Sequence, residues 1–145
     1  MHIIIVGCGK VGKTLVERLS KEGHDISVVD KSAVRLQSVT NMHDVFGVVG
    51  NGASFTVLKE AGIEHTDILI AVTDSDELNL LCCLVAKRSG NCDVIARVRT
   101  PDYSEEKAYL KEKLGLAMMI NPEQEAANAI SRILYMPTAL DVAPF

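Results

Sequence analysis

An α/β fold built on a doubly wound, six-stranded parallel sheet is predicted for this chain. Short runs rich in Val and Ile alternate with amphipathic helical patterns along nearly the whole length, as in a parallel sheet connected by helices. Aromatic residues make up only 4% of the composition and Trp is absent, so Val, Ile, Leu and Ala must form the core. Such a core suits a sheet that helices cover on both faces. The 145 residues, 48% of them hydrophobic, suffice for one domain of this kind.

Six strands are predicted where runs rich in β-branched residues lie between turn residues. In chain order they cover His2–Val6, Ile26–Val29, Asp44–Val49, Ile68–Val72, Val94–Val98 and Met118–Ile120. Because helical patterns separate consecutive strands, each connection can form a right-handed crossover between parallel neighbours. The commonest order for six such strands is 3-2-1-4-5-6, and it places ligands at the carboxyl ends of the first and fourth strands.

Six helices are predicted between and after these strands. They cover Val11–Glu22, Ser32–Val39, Ser54–Ala61, Asp76–Ser89, Ser104–Lys113 and Pro122–Leu134. The last helix starts with Pro122 and has Glu123 and Glu125 in its first turn, where proline and acidic residues are favoured. Its apolar side needs a cover and consists of Ala126, Ala127, Ile130, Ile133 and Leu134. Residues 136–145 contain two prolines and no clear period, so we divide the chain into a domain at 1–135 and a tail at 136–145.

The charge balance argues against a nucleic-acid partner. The chain has 15 Lys and Arg against 19 Asp and Glu, a net charge of −4, whereas proteins that bind a phosphate backbone are usually basic. The longest apolar run, Leu80–Ala86, is far shorter than the ~20 residues of a membrane-spanning helix, so direct membrane insertion is not expected. Met1 leads directly into an apolar strand without a basic leader, which favours a cytoplasmic location.

Four cysteines, Cys8, Cys82, Cys83 and Cys92, show no C-x-x-C spacing and no zinc-like histidine partners. A disulfide framework or a metal site is therefore not predicted. Neighbouring residues on a helix point about 100° apart, so we expect at most one of Cys82 and Cys83 to be deeply buried.

The glycine-rich segment after the first strand fits two phosphate-binding patterns at once. Gly7, Gly9 and Gly12 form G-x-G-x-x-G, which in a dinucleotide-binding Rossmann fold places a pyrophosphate at a helix N-terminus. Residues 7–14 also form G-x-x-x-x-G-K-T, the P-loop of nucleotide hydrolases. A third interpretation is that the glycines only permit tight packing of the helix on the sheet.

Two observations favour the dinucleotide pattern. Val11 already belongs to the apolar side of the helix, with Leu15 and Leu19, whereas a P-loop would still enclose phosphate there. Asp30 ends the second strand 18 residues after the last of these glycines, where a carboxylate can accept hydrogen bonds from an adenosine ribose. The P-loop alternative stays open, with Asp74 after the fourth strand as its Mg²⁺ ligand.

Polar residues at the ends of three further strands are candidates for the same site. Gly50–Ser54 follows the third strand and Thr73–Glu77 follows the fourth, and an ordinary turn or helix cap explains each equally well. Arg97 and Arg99 lie on one face of the fifth strand because strand side chains alternate. Two arginines on a buried strand need an anion, and we favour a ligand phosphate or a neighbouring subunit over solvent.

No Ser-His-Asp set, no cysteine beside a base and no carboxylate pair placed for acid-base catalysis can be assembled from the sequence. An NAD-dependent oxidoreductase also needs a substrate-binding region, for which no residues remain. Two functions therefore compete: a non-catalytic nucleotide sensor, and the cofactor-binding part of an oxidoreductase without its catalytic half.

Together these motifs resemble the nucleotide-binding N-terminal domain of regulators of potassium conductance, the domain type of Trk-type potassium uptake subunits. The resemblance covers residues 1–136 and is carried by Ile3–Gly12, Asp30, Gly50–Ser54, Asp67–Asn79, Ala96–Arg99 and Asn121–Glu123. It implies a cytoplasmic Rossmann-fold sensor that forms homodimers and higher rings beneath a membrane-embedded potassium transporter or channel. It also implies binding of NAD, NADH, ATP or ADP, and regulation rather than catalysis.

The resemblance assigns roles to the first two strand ends. It implies that Gly7, Gly9 and Gly12 hold the phosphates. Asp30 would hold the ribose. Lys10 stands where the family often has an arginine at the phosphate, and lysine lacks the two-pronged geometry of a guanidinium, which leaves the preference between NAD and ATP open.

The later strand ends receive roles in the same way. The resemblance implies that Ala53, Thr73 and Asp74 border the adenine and ribose, and that Arg97 or Arg99 reaches a phosphate or a neighbouring subunit. The predicted cofactor-binding residues are Gly7, Cys8, Gly9, Lys10, Val11, Gly12, Asp30, Lys31, Gly52, Ala53, Thr73, Asp74, Arg97 and Arg99.

In this family the last helix crosses over and packs on the dimer partner, which is the role implied for Pro122–Leu134. A full subunit of the family continues into a smaller ligand-sensing domain or repeats the whole unit. The tail at 136–145 is therefore expected to be the start of a linker to a C-terminal domain that this sequence does not include.

Overall fold

The computed structural model describes residues 1–135, and it confirms the predicted doubly wound α/β sheet. Six parallel strands are arranged in the order β3-β2-β1-β4-β5-β6. They are β1 His2–Val6, β2 Asp25–Asp30, β3 Phe46–Val49, β4 Ile68–Ala71, β5 Asp93–Arg97 and β6 Met118–Ile120. Each predicted strand boundary lies within two residues of the observed one. The direction of strand order reverses between β1 and β4, which opens a crevice at their carboxyl ends.

Seven α-helices occur within residues 1–135. They are α1 Lys10–Lys21, α2 Ala33–Thr40, α3 Phe55–Glu60, α4 Asp76–Ser89, α5 Pro101–Ser104, α6 Lys107–Leu114 and α7 Pro122–Tyr135. The predicted single helix Ser104–Lys113 is wrong, because α5 and α6 replace it. Pro101 starts a helix early, as proline favours a first helical position, and Glu106, with φ −106° and ψ 21°, interrupts it. The predicted tail, residues 136–145, lies outside the described residues.

Two apolar clusters cover the two faces of the sheet, as the alternation of strand side chains requires. Ile3 and Ile5 of β1 belong to the cluster that packs under α1 and α2. Ile4 and Val6 belong to the cluster that packs under α3 and α4. The central strand β1 is therefore buried on both faces, and its carboxyl end is held in one position.

The expectation that at most one of Cys82 and Cys83 is deeply buried is wrong, since both are 0% exposed. Helix α4 contacts β4 and β5 beneath it, and α3 and α6 flank it. Its buried arc is consequently wider than the ~100° that separates neighbouring helical residues.

Helix α7 differs from the other long helices because the described residues leave its apolar side uncovered. Ile130 is 58% exposed and Leu134 is 69% exposed, although both lie on the side that an amphipathic helix normally buries. Within residues 1–135, no helix combines the length and apolarity needed to span a membrane.

Candidate functional site

A cleft of about 230 Å³ lies at the carboxyl edge of the sheet, where the strand order reverses. Residues at the ends of the four strands β1 to β4, and in the segments that follow, form its walls. The lining residues are Val6, Gly7, Gly9, Val29, Asp30, Lys31, Arg35, Gly50, Gly52, Val72, Thr73, Asp74, Ser75 and Leu78. An apolar interior with a polar rim is typical of sites for ring-containing ligands.

Each of the three glycines after β1 occupies a different structural environment. Gly7 has φ +108°, and a Cβ there would lie 3.0 Å from the backbone nitrogen of Thr73. A Cβ on Gly12 would lie 1.8 Å from the Gly7 carbonyl oxygen, so only glycine lets α1 pack this closely on the loop. Gly9 has an ordinary φ of −74°, and no atom lies within 4 Å of the position its Cβ would take. Packing therefore does not explain Gly9, and the open space beside it leaves room for a ligand.

Helix α1 begins at Lys10, immediately after Gly9. The backbone N–H groups of its first turn have no intrahelical acceptor and carry the positive end of the helix dipole. No side chain caps this terminus, unlike the N-termini of α2, α3 and α4, where serines do so. The start of α1 is therefore available to an anion from the cleft.

The same helix start disfavours the P-loop interpretation. Lys13 and Thr14 lie within α1, are exposed, and do not line the cleft. The Thr14 hydroxyl donates to the carbonyl oxygen of Lys10 at 2.9 Å, so it is engaged by the helix backbone. A P-loop lysine and threonine would instead point into the phosphate site.

Asp30 is fixed by two backbone donors at the end of β2. The N–H of Cys8 donates to Oδ2 and the N–H of Ser32 donates to Oδ1, each at 2.7 Å. These bonds join the glycine loop to the start of α2 and leave further lone pairs on both oxygens. The carboxylate is only 8% exposed and can accept hydrogen bonds from ligand hydroxyls without moving.

The loop after β3 is shaped by close packing. A Cβ on Gly52 would lie 2.3 Å from Cγ1 of Val6, so glycine lets this loop form the floor of the cleft. The Asn51 side chain accepts from the N–H of Ala53 at 3.0 Å and turns the chain into α3. Ala53 itself packs against the core cluster beneath α3 and α4 and does not line the cleft.

The segment after β4 is held by Asn79, which is 0% exposed. Its Oδ1 accepts from the backbone N–H and the hydroxyl of Thr73, at 2.8 and 2.6 Å. Its Nδ2 donates to the carbonyl oxygens of Thr73 and Arg97, at 3.0 and 2.9 Å. A fully bonded buried amide thus ties the wall of the cleft to the end of β5.

Asp76, in the first turn of α4, makes a second connection to β5. Its carboxylate accepts from the N–H of Arg99 at 3.1 Å and from the N–H of Thr100 at 2.7 Å. Burial acts to raise the pKa of this carboxyl, but the hydrogen bonds from Thr100 and Arg99 outweigh it and hold the pKa below its usual range.

The two arginines of the fifth strand region are engaged within the chain and do not line the cleft. Arg97 ends β5, is 6% exposed and pairs with Glu123 in the first turn of α7. Its guanidinium is also 4.0 Å from Asp74, and its buried Nε has no hydrogen-bond partner among residues 1–135. Arg99, just after the strand, donates to the Asp74 carbonyl oxygen at 2.7 Å. The Glu123 backbone and the Arg97 guanidinium hold the pKa of the Glu123 carboxyl below its usual range.

Half of the predicted cofactor-binding residues line the cleft. These are Gly7, Gly9, Asp30, Lys31, Gly52, Thr73 and Asp74. Those that do not line it are Cys8, Lys10, Val11, Gly12, Ala53, Arg97 and Arg99. Cys8 and Gly12 are buried behind the loop, Val11 packs on the core, and Lys10 is exposed at the start of α1.

Five lining residues were not predicted: Val6, Val29, Arg35, Val72 and Leu78. Gly50 and Ser75 also line the cleft and lie in the predicted segments Gly50–Ser54 and Thr73–Glu77. The apolar members of the five form the interior wall, and in the sequence they are indistinguishable from core residues. Arg35 could have been found from the sequence, because it is a basic residue in the first turn of the helix that follows the strand ending in Asp30. Among residues 1–135, no group of three or more His, Cys, Asp or Glu side chains is placed to hold a metal ion.

Comparison with known proteins gives consistent matches. The family model of the TrkA-N domain matches residues 3–122. The Trk system potassium uptake protein TrkA of Halomonas elongata is 42% identical over 147 residues, covering 100% of this chain and 32% of that protein. The TrkA-N domain of the inner membrane protein ybaL from Escherichia coli has a TM-score of 0.80 and 26% identity, covering 92% of this chain and 96% of that one.

A structure of the GsuK channel bound to NAD has the same fold, with a TM-score of 0.70 and 24% identity over 82% of this chain and 21% of that chain. The chain spans about a third of the length of several curated TrkA relatives. The matched region includes β1 to β6, and therefore every strand end that forms the cleft.

Proposed function

The chain belongs to the TrkA-N domain family, and we propose that it is a regulatory domain that binds a nucleotide and thereby gates a membrane potassium transporter or channel. The proposed ligands are NAD or NADH, with ATP or ADP as competing adenine nucleotides. The proposed location is the cytoplasm, at the inner face of the cell membrane through the partner.

One observation carries the proposal: an uncapped helix N-terminus and a fixed carboxylate face the same cleft. The start of α1, with open space at Gly9, offers backbone N–H groups to a phosphate. Asp30, on the neighbouring strand, offers acceptors to the ribose hydroxyls. The apolar wall that includes Val29 and Leu78 suits the adenine ring. These three features suit the phosphate, the ribose and the adenine of a nucleotide, in the order in which those groups are linked.

Regulation rather than catalysis is supported by the side chains of the cleft. Among the residues that the structure describes, the ionisable lining residues are Asp30, Lys31, Arg35 and Asp74, and none of the lining residues is a histidine or a cysteine. The hydroxyl of Ser75, which also lines the cleft, accepts from the N–H of Leu78 as the cap of α4. This set can bind and orient a nucleotide, but it offers no nucleophile paired with a base.

A continuous set of polar contacts gives the nucleotide a route to α7. Thr73 at the cleft is bonded to Asn79, Asn79 to the Arg97 carbonyl oxygen, and the Arg97 guanidinium to Glu123 of α7. A ligand that displaces Thr73 therefore changes the position of the group that holds the first turn of α7. Such a ligand can shift the equilibrium between two assembly states if it binds one of them more tightly.

The proposed partner of α7 is a second copy of this chain, which would cover Ile130, Ile133 and Leu134 in a homodimer. These residues are exposed and form one side of the helix, an apolar surface that residues 1–135 do not cover. Glu123 ends the polar contacts from the cleft in the first turn of the same helix, so a change at the cleft would reach the dimer interface. Higher rings would need a second interface in addition to this one.

The proposal is tested by isothermal titration of the ligand-stripped protein with NADH, NAD, ATP and ADP, each with and without Mg²⁺. We expect Asp30→Ala to weaken NADH binding at least tenfold, or about 1.4 kcal/mol, because the ribose hydroxyls lose their acceptors. Asp25→Ala is the matched control, since Asp25 is exposed at the opposite end of the same strand.

Unchanged NADH affinity in Asp30→Ala would remove this carboxylate from the site. Absence of binding by all four nucleotides would contradict nucleotide sensing altogether. A substrate-dependent change in NADH absorbance would instead favour the oxidoreductase alternative, and Mg²⁺-dependent release of phosphate from ATP would favour the P-loop alternative.

A further inference from the structure

Two positively charged side chains line the cleft beside Asp30 and have no use in the site described so far. Lys31 directly follows Asp30, and Arg35 lies in the first turn of α2. Among residues 1–135, neither side chain makes an ion pair or a hydrogen bond. Arg97, by contrast, is paired with Glu123 away from the cleft. The positive charge that faces the cleft without a partner is therefore concentrated next to the ribose-binding carboxylate.

The position of Arg35 is set by a short chain of contacts that begins at Asp30. Asp30 accepts from the N–H of Ser32 at 2.7 Å, and the Ser32 hydroxyl accepts from the N–H of Arg35 at 3.2 Å. The start of α2 is thus tethered to the carboxylate, with the Arg35 side chain on the cleft side. Because Ser32 already caps this helix, the backbone is occupied and an anion would have to bind the side chains.

The electrostatic surroundings agree with this placement. Arg35 is close enough to Cys8, in the glycine loop, to oppose in part the burial that raises the pKa of that thiol. Lys31 has the same effect on Cys82, whose sulfur lies 3.1 Å from the position that a Cβ on Gly52 would take. Each cation therefore acts electrostatically on a thiol beside a glycine loop of the cleft.

Asp30 does not cancel this positive charge. Each Asp30 oxygen accepts a short backbone hydrogen bond, and these bonds stabilise the single negative charge of the carboxylate. Lys31 and Arg35 together carry two positive charges, so the corner has a net positive charge. A phosphate monoester carries a charge of about −1.5 to −2 at neutral pH. This charge is close in magnitude to the combined charge of Lys31 and Arg35. An arginine near the strand-end acid is also the feature by which dinucleotide folds accept a 2′-phosphate.

Resting on the proposed function, we infer that Lys31 and Arg35 form a subsite for a phosphate on the 2′-oxygen of the adenosine ribose. NADPH and NADP are then ligands of the cleft as well as NADH and NAD. Asp30 keeps the 3′-hydroxyl as its donor, and Arg35 supplies the paired N–H groups that a phosphate accepts. The cleft therefore binds nicotinamide dinucleotides with little discrimination between a 2′-hydroxyl and a 2′-phosphate.

The test is a calorimetric comparison of NADH with NADPH, and of AMP with adenosine 2′,5′-bisphosphate, which isolates the 2′-phosphate from the nicotinamide. We expect the NADPH and NADH dissociation constants of the unchanged protein to agree within about tenfold. Arg35→Ala should weaken NADPH and the bisphosphate at least tenfold, while NADH and AMP change by less than about threefold. Arg35→Lys should recover part of the loss, since it restores the charge without the fork.

Arg18→Ala is the matched control, because Arg18 is an exposed arginine of α1 outside the cleft and its removal changes the net charge equally. NADPH that binds more than about 100-fold more weakly than NADH would overturn the subsite, as would equal loss of both ligands in Arg35→Ala. If NADH binds and depends on Asp30 while NADPH does not bind, only the subsite fails. If neither dinucleotide binds, the proposed function fails with it.

Discussion

The crevice between β1 and β4 and the exposed helix α7 differ in how completely one chain covers them. At the crevice, the β1 residues from Ile3 to Val6 are at most 3% exposed, and glycines let backbone segments touch. In α7, Ile130 and Leu134 are mostly exposed. The first region is complete within residues 1–135, whereas the second has an apolar surface that those residues leave uncovered. We therefore expect substitutions in the two regions to separate folding and ligand binding from assembly.

The largest expected effect is in the glycine loop. Gly12→Ala should destabilise the fold by more than about 3 kcal/mol, because its Cβ would lie 1.8 Å from the Gly7 carbonyl oxygen and α1 must move. Urea unfolding followed by circular dichroism measures this loss. Gly9→Ala is the matched control, since nothing lies within 4 Å of its Cβ. It should stay within about 1 kcal/mol of the unchanged protein while its NADH affinity falls. Equal stability of the two variants would contradict the roles given to these glycines.

A smaller effect is expected at Asp76, which joins the first turn of α4 to the segment after β5. Asp76→Asn should cost about 1–3 kcal/mol at neutral pH, because the carboxylate accepts the N–H groups of Arg99 and Thr100. The pKa of Asp76 is lower in the folded protein than the ordinary value of about 3.9, so its contribution is complete above that value. As the pH falls through the lower folded pKa, the carboxylate takes up a proton and the contribution is lost.

The difference in unfolding free energy between Asp76→Asn and the unchanged protein should accordingly shrink below about pH 4. Urea titrations at a series of pH values test this. A difference that stays constant, or that grows in acid, would show that Asp76 does not stabilise the fold through its ionised form.

The smallest effect on folding is expected in α7. Ile130→Asp should change the unfolding free energy of the monomer by less than about 0.5 kcal/mol, because Ile130 is 58% exposed. The same change should convert a dimer to a monomer in sedimentation at tens of micromolar protein, since it places a charge in the proposed interface. Arg132→Ala, on the polar part of the same helix, should leave the dimer intact. A chain that is monomeric before any substitution would contradict assembly through α7.

The elements of the sheet could be predicted because periodicity and turn residues are local properties of the sequence. All six strands were predicted from the alternation of strand and helix patterns, and their order was predicted as the commonest one for a doubly wound sheet of six strands. The α5–α6 region could not be predicted in this way. A proline offered an earlier start, and the interruption at Glu106 depends on backbone angles that no periodicity records.

Residues of the candidate site could be predicted only where their type and spacing form a recognisable motif. Gly9 and Asp30 could be singled out because G-x-G-x-x-G followed 18 residues later by an acid at a strand end forms one dinucleotide-binding pattern. Val6 and Leu78 line the cleft but have the composition of core residues, so only their three-dimensional position distinguishes them. Arg97 needed an anion, as expected, but the structure supplies Glu123 from 26 residues away, a pairing that local pattern cannot show.

The four cysteines are buried, so their reactivity can report transient opening of the domain. Burial, with a smaller contribution from the Asp30 carboxylate, raises the pKa of the Cys8 thiol to about 12, and burial raises that of Cys82 to about 12. At neutral pH only about one such thiol in 10⁵ is ionised, and alkylating reagents attack the ionised form. Labelling in the folded protein must therefore await a transient opening. Because the Cys8 backbone is bonded to Asp30, a nucleotide that holds this carboxylate should slow the labelling of Cys8 specifically. The rate at which Cys8 is alkylated would then measure occupancy of the cleft in the native sequence, without an engineered cysteine.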